Sequence, residues 1–283
     1  MAQEWKIEGK NILITGGASG LGAAYAEAFL KSGAEKLAIL DVAEKIGNDY
    51  AEKLNKTYKN KVIFIKCDVS KEEEIKNCFQ DVLNAFKRID VLINNAGIMD
   101  DSTDAWRTAS DVNWQGLVSF TRKGIGHMRI VEGGSGGTII NVSSVAAIVK
   151  ADFLPVYCAS KAAVLHFGRS ISSPEFYANT GVRILTICFG ATSTPLLNNL
   201  QSRFIEQKFT NMLNPTSPLQ EQSVDSAVKA VLKMFLEGKP GSVWLSQFNE
   251  PGQDITAILD EAYKPLEKLT LPSEITDATQ ISK

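Results

Sequence analysis

Four glycines fall within seven positions near the N-terminus, in Thr15-Gly16-Gly17-Ala18-Ser19-Gly20-Leu21-Gly22, and no other feature restricts the fold so tightly. The stretch follows directly on the apolar run Asn11–Thr15. It leads into Leu21, Tyr25, Ala28 and Phe29, an apolar stripe at helical spacing supported by the i, i+4 pair Glu27 and Lys31. Strand, glycine turn and helix in direct succession open a parallel α/β sheet. The glycines let the backbone turn tightly and approach an anion closely, and the N–H groups of the helix N-terminus attract negative charge. The spacing T-G-x-x-x-G-x-G is slightly longer than the G-x-G-x-x-G of other dinucleotide binders, but the physics is shared. Gly16, Ser19, Gly20, Leu21 and Gly22 are therefore the expected pyrophosphate cradle.

The rest of the chain repeats this alternation. Short β-rich runs stand at Lys36–Leu40, Val62–Lys66, Val91–Asn94, Thr138–Val142, Val182–Cys188 and Val243–Ser246, with helical stripes such as Ile75, Phe79, Val82, Leu83 and Phe86 between them. Fully apolar strands alternating with helices predict a single-domain, doubly wound (Rossmann-like) parallel sheet of about seven strands, covered on both faces. Residues 1–271 form that domain in this reading, including a substrate lid near 190–220, and 272–283 form a loose tail. The glycines at 133–137 read as a turn before a strand.

The second run ends at Asp41, about twenty residues past the last glycine of the turn, where a carboxylate can accept hydrogen bonds from adenosine ribose hydroxyls. It would repel a 2′-phosphate, and neither Gly17, Ala18 nor Val42 supplies a compensating positive charge. The expected cofactor is NAD rather than NADP. Asp41 capping the following helix is the plainer reading of the same residue.

Further motifs follow in order: Cys67-Asp68-Val69, Asn94-Asn95-Ala96-Gly97, Asn113, Ser144, and Tyr157 with Lys161 in Tyr-x-x-x-Lys. Together with the glycine turn they resemble the short-chain dehydrogenase/reductase family, from about Lys10 to Leu245. Within it the texture is most similar to the prostaglandin-dehydrogenase and insect alcohol-dehydrogenase branches, in Asp90–Gly97, Gly136–Ser144 and Pro155–Ala163. The resemblance implies that Asp68 and Val69 contact the adenine and that Asn95, Ala96 and Gly97 border the cofactor. It also implies that Lys161 holds the nicotinamide ribose, that Thr192 and Thr194 reach the carboxamide, and that Asn113 bends a helix and holds a water that relays protons to the lysine.

The chemistry of these residue types agrees. Hydride leaves an alcohol carbon readily only if the hydroxyl proton leaves too, so the site needs a base. Tyr157 is that base, with Lys161 one helical turn away. A cation there, with the positive nicotinamide, is expected to lower the phenol by about 3 pH units, or about 4 kcal/mol. Ser144, at the end of the fifth strand, can donate to the substrate oxygen. Neighbouring Ser143 competes for that role, and the family spacing selects Ser144.

Two positions depart from the family. Phe189 replaces the proline before Gly190, and Leu154 stands where prostaglandin dehydrogenases carry a substrate-bonding glutamine. Leu196, Leu197, Leu200, Phe204, Ile205, Phe209, Met212 and Leu213 form an apolar stripe that is either core or lid. Met99, Leu154, Phe189 and Trp114 are expected to line a greasy pocket. The expected activity is NAD-dependent oxidation of a lipophilic alcohol, whether terpenoid, steroid, prostanoid-like or aliphatic. An NADPH-dependent carbonyl reductase and a non-catalytic binding or storage protein are the other readings.

Net charge of −2 with scattered Lys and Arg argues against a nucleic-acid partner. No apolar run reaches the about 18 residues of a membrane span. Four well-separated cysteines without a C-x-x-C pair suit a cytoplasmic protein with neither disulfide framework nor zinc. Cys158 reads as a buried, inert thiol, and His127 and His166 as ordinary residues rather than metal ligands. A homodimer or homotetramer is expected from the relatives.

Overall fold

A computed structural model describes residues 5–206 and 220–270. Eight strands form one sheet in the order β3-β2-β1-β4-β5-β6-β7-β8. They are β1 (Asn11–Thr15), β2 (Lys36–Asp41), β3 (Val62–Lys66), β4 (Val91–Asn94), β5 (Gly137–Ser144), β6 (Val182–Phe189), β7 (Val243–Ser246) and β8 (Gln253–Asp254). All neighbouring pairs run parallel except β7 with β8, which is antiparallel. The expected parallel sheet of about seven strands is thus present, with an eighth, antiparallel strand added at its edge. The added strand is two exposed polar residues paired to Leu245 and Trp244, with no apolar run to announce it.

The seven parallel strands are apolar because helices cover both faces. On one side α1 (Gly20–Lys31) and α8 (Val224–Glu237) bury Tyr25, Phe29 and Phe235 against β1 and β6. On the other, α3 (Glu72–Phe86) and α5 (Leu117–Met128) bury Phe79, Val82 and Phe120. Helix α2 (Glu44–Tyr58) follows β2. Ser223 starts α8 by accepting the Ser226 N–H at 3.1 Å, as an N-cap should. Among the described residues no helix is long and apolar enough to cross a membrane.

Strand order reverses where β1 lies beside β4. Open parallel sheets bind ligands outside the carboxyl ends of the strands at such a switch point. The glycine turn, Asn95 and Ser144 all follow or end strands at that edge. The segment after β4 holds α4 (Trp106–Ser110), a π-helical turn at Asp111–Gly116, and then α5. Helix α6 (Pro155–Ser170) packs across β5 and β6. Residues 271–283 and 207–219 lie outside the described residues, and with them the expected tail, part of the expected lid, and Phe209, Met212 and Leu213.

Candidate active site

One cavity of about 980 Å³ runs along the carboxyl edge of the sheet. Its first end is bordered by Asp41, Val42, Cys67, Asp68 and Val69, its middle by Gly16, Ser19, Gly20 and Leu21, and its second end by Ser144, Tyr157 and Lys161. The sequence-predicted residues Asn95, Ala96, Gly97, Met99, Leu154, Phe189, Thr192 and Thr194 line it as well. Gly22, Asn113 and Trp114 are not on the wall, and each stands elsewhere for a physical reason.

The glycine turn is packed most closely at Gly16 and Gly22, where a side chain would not fit. Gly16 has φ +64, and a Cβ there would stand 2.8 Å from Ala96 Cα. Gly22 serves packing rather than the cavity, because its Cβ would lie 2.0 Å from the Gly16 carbonyl oxygen. Asn95 Nδ2 donates to the Thr15 and Gly16 carbonyls at 3.0 and 2.9 Å, while Thr15 Oγ1 accepts the N–H groups of Asn95 and Ala96 at 3.1 Å each. The first turn of α1 carries no acidic residue, and Ser19 at its N-cap spends no side-chain bond on it. Those N–H groups and the glycine cradle fit a pyrophosphate. Asp41 accepts the N–H of Ala18 at 3.0 Å through Oδ2 and that of Ala43 at 3.0 Å through Oδ1. Its carboxylate is therefore held by the turn it faces, and lone pairs remain for further donors.

At the second end the side chains converge. Tyr157 and Lys161 share one face of α6, with Nζ 5.8 Å from the phenol ring centre, and both are buried. Lys161 Nζ donates to the Val142 carbonyl at 3.0 Å. Ser144 Oγ accepts the Ala146 N–H at 3.1 Å and donates to the Phe189 carbonyl at 3.3 Å. Ser143 Oγ is spent elsewhere, donating to the Lys161 carbonyl at 2.9 Å and pinning α6 to β5. Of the two serines, Ser144 is the one beside the phenol.

Burial governs the ionisation of this pair. It pushes Tyr157 up to about 12, with a hydrogen bond to the Ser144 side chain pulling part of the way back. It also pushes Lys161 down to about 8. The expected downward shift of the phenol is therefore not supplied in the protein alone, where desolvation dominates. A further positive charge against the ring is needed. Burial also pushes the half-buried Cys158 thiol up, which disfavours a reactive thiolate.

Asn113 sits in the π turn, wholly occupied. Its Oδ1 accepts the Ile98 N–H at 2.7 Å, and Nδ2 donates to the Ile98 carbonyl at 2.8 Å and to Ser160 Oγ at 3.1 Å. With both amide hydrogens used, the side chain clamps the loop after β4 to α6. The adjacent Trp114 packs edge-on against Phe167, with ring centres 5.4 Å apart, rather than lining the pocket. Phe189 touches the cavity, but its ring stacks on Tyr25 within the core. The remaining apolar wall is a cluster of Met99, Leu154, Tyr157, Leu200 and Phe204, with Phe153, Leu196 and Leu197 packed against it. Of the described part of the expected stripe, Leu196, Leu197 and Leu200 line the cavity, Phe204 is buried behind them and Ile205 is exposed.

Two site residues escape the sequence. Asp101, 2% exposed, accepts the N–H groups of Val156 at 2.6 Å and Tyr157 at 2.9 Å. These are orphan donors of the α6 first turn, whose N-cap Leu154 has no side chain able to accept them. Burial pushes the Asp101 carboxyl up, against the two N–H bonds that hold it down. A helix opening Leu154-Pro155 without its own capping side chain is the only hint in the sequence. The second is Gln222, fully buried beside Thr192. Among the described residues no group of three His, Cys, Asp or Glu side chains is placed to hold a metal, and His127 Nε2 accepts the Ile89 N–H at 3.2 Å.

A family model for short chain dehydrogenases matches residues 10–204. The chain belongs to the short-chain dehydrogenase family. It is 34% identical over 216 residues to 15-hydroxyprostaglandin dehydrogenase [NAD(+)] of Bos taurus, covering 76% of this chain and 80% of that one. With the human protein of the same name identity is 36% over 208 residues, covering 71% and 77%. With alcohol dehydrogenase 2 of Ceratitis capitata it is 35% over 236 residues, covering 82% and 90%. Both branches to which the sequence motifs point are thus among its relatives.

Proposed function

We propose that this chain oxidises a lipophilic alcohol with NAD, with Tyr157 as the acid/base. The observation that carries the reading is the convergence of Ser144, Tyr157 and Lys161 at one end of a cavity whose other end presents Asp41. The names of the mammalian relatives include NAD(+), and those of the insect relatives alcohol dehydrogenase, which supports both cofactor and reaction class.

The glycine turn and the α1 N-terminus would hold the pyrophosphate, Asp41 the adenosine ribose, and Lys161 the nicotinamide ribose. Bound NAD supplies the hydride acceptor and a positively charged ring. Tyr157 takes the hydroxyl proton of the alcohol, and Ser144 donates to the same oxygen as negative charge develops there. Asn113 and Asp101 hold α6 and the loop after β4 so that the phenol keeps its place. The apolar wall around Leu154 and Leu200 excludes water and favours an aliphatic or ring-bearing alcohol over a sugar-like one.

The test follows NADH formation over terpenoid, steroid and aliphatic alcohols, with Tyr157→Phe as control. The expected loss in the variant is about 10²–10⁴-fold, the range for removal of a general acid/base. An unchanged rate in the variant, or a preference for NADP, overturns the reading.

A further inference from the structure

Gln222 lies just before α8 and is 0% exposed. A buried primary amide is costly unless its groups are paired, and here they are. Nε2 donates to Thr192 Oγ1 at 3.1 Å and to the Ser246 carbonyl at 2.9 Å, while Oε1 accepts the Ser246 hydroxyl at 2.9 Å. The main chain joins in: Gln222 N–H donates to the Ala191 carbonyl at 2.8 Å and Ser193 N–H to the Gln222 carbonyl at 3.0 Å. One residue thus ties the loop after β6 to the end of β7.

This pattern is a single parallel bridge between Thr192 and Gln222. In such a bridge the bonds run through the residues flanking Thr192, so its own N–H and C=O point the opposite way. None of the main-chain bonds outside helices and strands uses either group. Thr192 borders the cavity at the end that holds Ser144, whose hydroxyl donates to the carbonyl of Phe189 at the start of the same loop. A carboxamide carries one acceptor and one N–H donor face, which is the complement of a main-chain N–H and C=O pair.

We infer that Gln222 is a positioning residue for the cofactor: through Thr192 it fixes the loop that meets the nicotinamide end, and leaves the adenosine end untouched. The inference rests on the proposed use of NAD. It separates two halves of one ligand, because the adenosine end is built from Asp41 and the glycine turn, on the far side of the cavity.

The experiment compares dissociation constants for NAD and for ADP-ribose, which lacks the nicotinamide, by calorimetry on the full chain and on Gln222→Met. The expected result is NAD binding weakened about tenfold, as for one or two lost buried hydrogen bonds, with ADP-ribose changed less than about twofold. Equal weakening of both ligands means general damage to the fold and overturns the inference, as does no change in either. Where Gln222→Met does not fold, Ser246→Ala, which frees one side of the amide, carries the same split with a smaller factor. Wild-type protein that binds neither ligand overturns the NAD reading itself, and that arm is read before any variant.

Discussion

The two ends of the cavity are built from different materials. The cofactor end is backbone: glycines, helix N–H groups, and carbonyls braced by Asn95. The reacting end is side chain: a phenol, a hydroxyl and an amine set in an apolar cluster. Backbone-built recognition has no spare volume, so a single added carbon does damage there. Side-chain-built chemistry stands on a frame that tolerates truncation, so there the damage falls on rate and ionisation rather than on fold.

The sharpest way to break this contrast is Gly22→Ala. Alanine favours a helix interior, yet its Cβ would meet the Gly16 carbonyl oxygen at 2.0 Å, and backbone cannot swing aside. The expected cost is about 3 kcal/mol of stability or more, with NAD binding lost in parallel. Chemical denaturation and calorimetry measure both. Wild-type stability in this variant would mean that the turn has slack and that the contrast is false.

Asp101→Ala comes next. It removes the acceptor of two α6 first-turn N–H groups and leaves them buried, at an expected cost of about 2–3 kcal/mol. NAD affinity should stay near wild type while kcat falls, because the defect lies under Tyr157. A loss confined to NAD affinity would move Asp101 to the other half of the comparison.

The pH dependence of stability isolates Lys161. Burial lowers its folded pKa from 10.5 to about 8, so between those values the unfolded chain holds a proton that the folded chain has released. Stability therefore rises with pH across that window, by an amount on the order of 1–3 kcal/mol. Above about pH 10 the raised Tyr157 acts in the opposite sense, since the folded chain then keeps a proton that the unfolded chain loses. Denaturation midpoints at pH 7 and 9.5 should differ in wild type and draw together in Lys161→Met.

The smallest expected effect is at Asp41→Ala. Removing the carboxylate should narrow the preference for NAD over NADP by about tenfold, near 1.4 kcal/mol. Paired KM measurements for the two cofactors check it.

Much of this molecule could be read from its residues, and the failures have physical causes. The bounds of β1, β3, β4 and β7 match the apolar runs residue for residue, because each run is flanked by residues that break the strand pattern. Ser144, Tyr157 and Lys161 meet as their spacing implies, one turn of α6 beside the end of β5. Strand β8 was invisible because two polar residues carry no periodicity. Asp101 and Gln222 were invisible because their partners stand 56 and 30 residues away, joined by the fold and not by any local rule. Trp114, expected in the pocket wall, instead packs on Phe167, a contact made by the fold that no local pattern announces. The rise of the Tyr157 pKa follows from burial, which composition does not report.

The segment at 111–116 departs from regular helix. A π turn is an α-helix carrying one residue too many, and it survives where something holds the surplus in place. Here Asn113 does so, through Ile98 and Ser160. Deleting Asn113 itself would let the helix close to ordinary winding, with the turns on either side kept near their present phase. The helix would gain regularity, and the clamp between the loop and α6 would come undone. The one deletion that would make this helix more regular is therefore the one that would free the loop after β4 from α6.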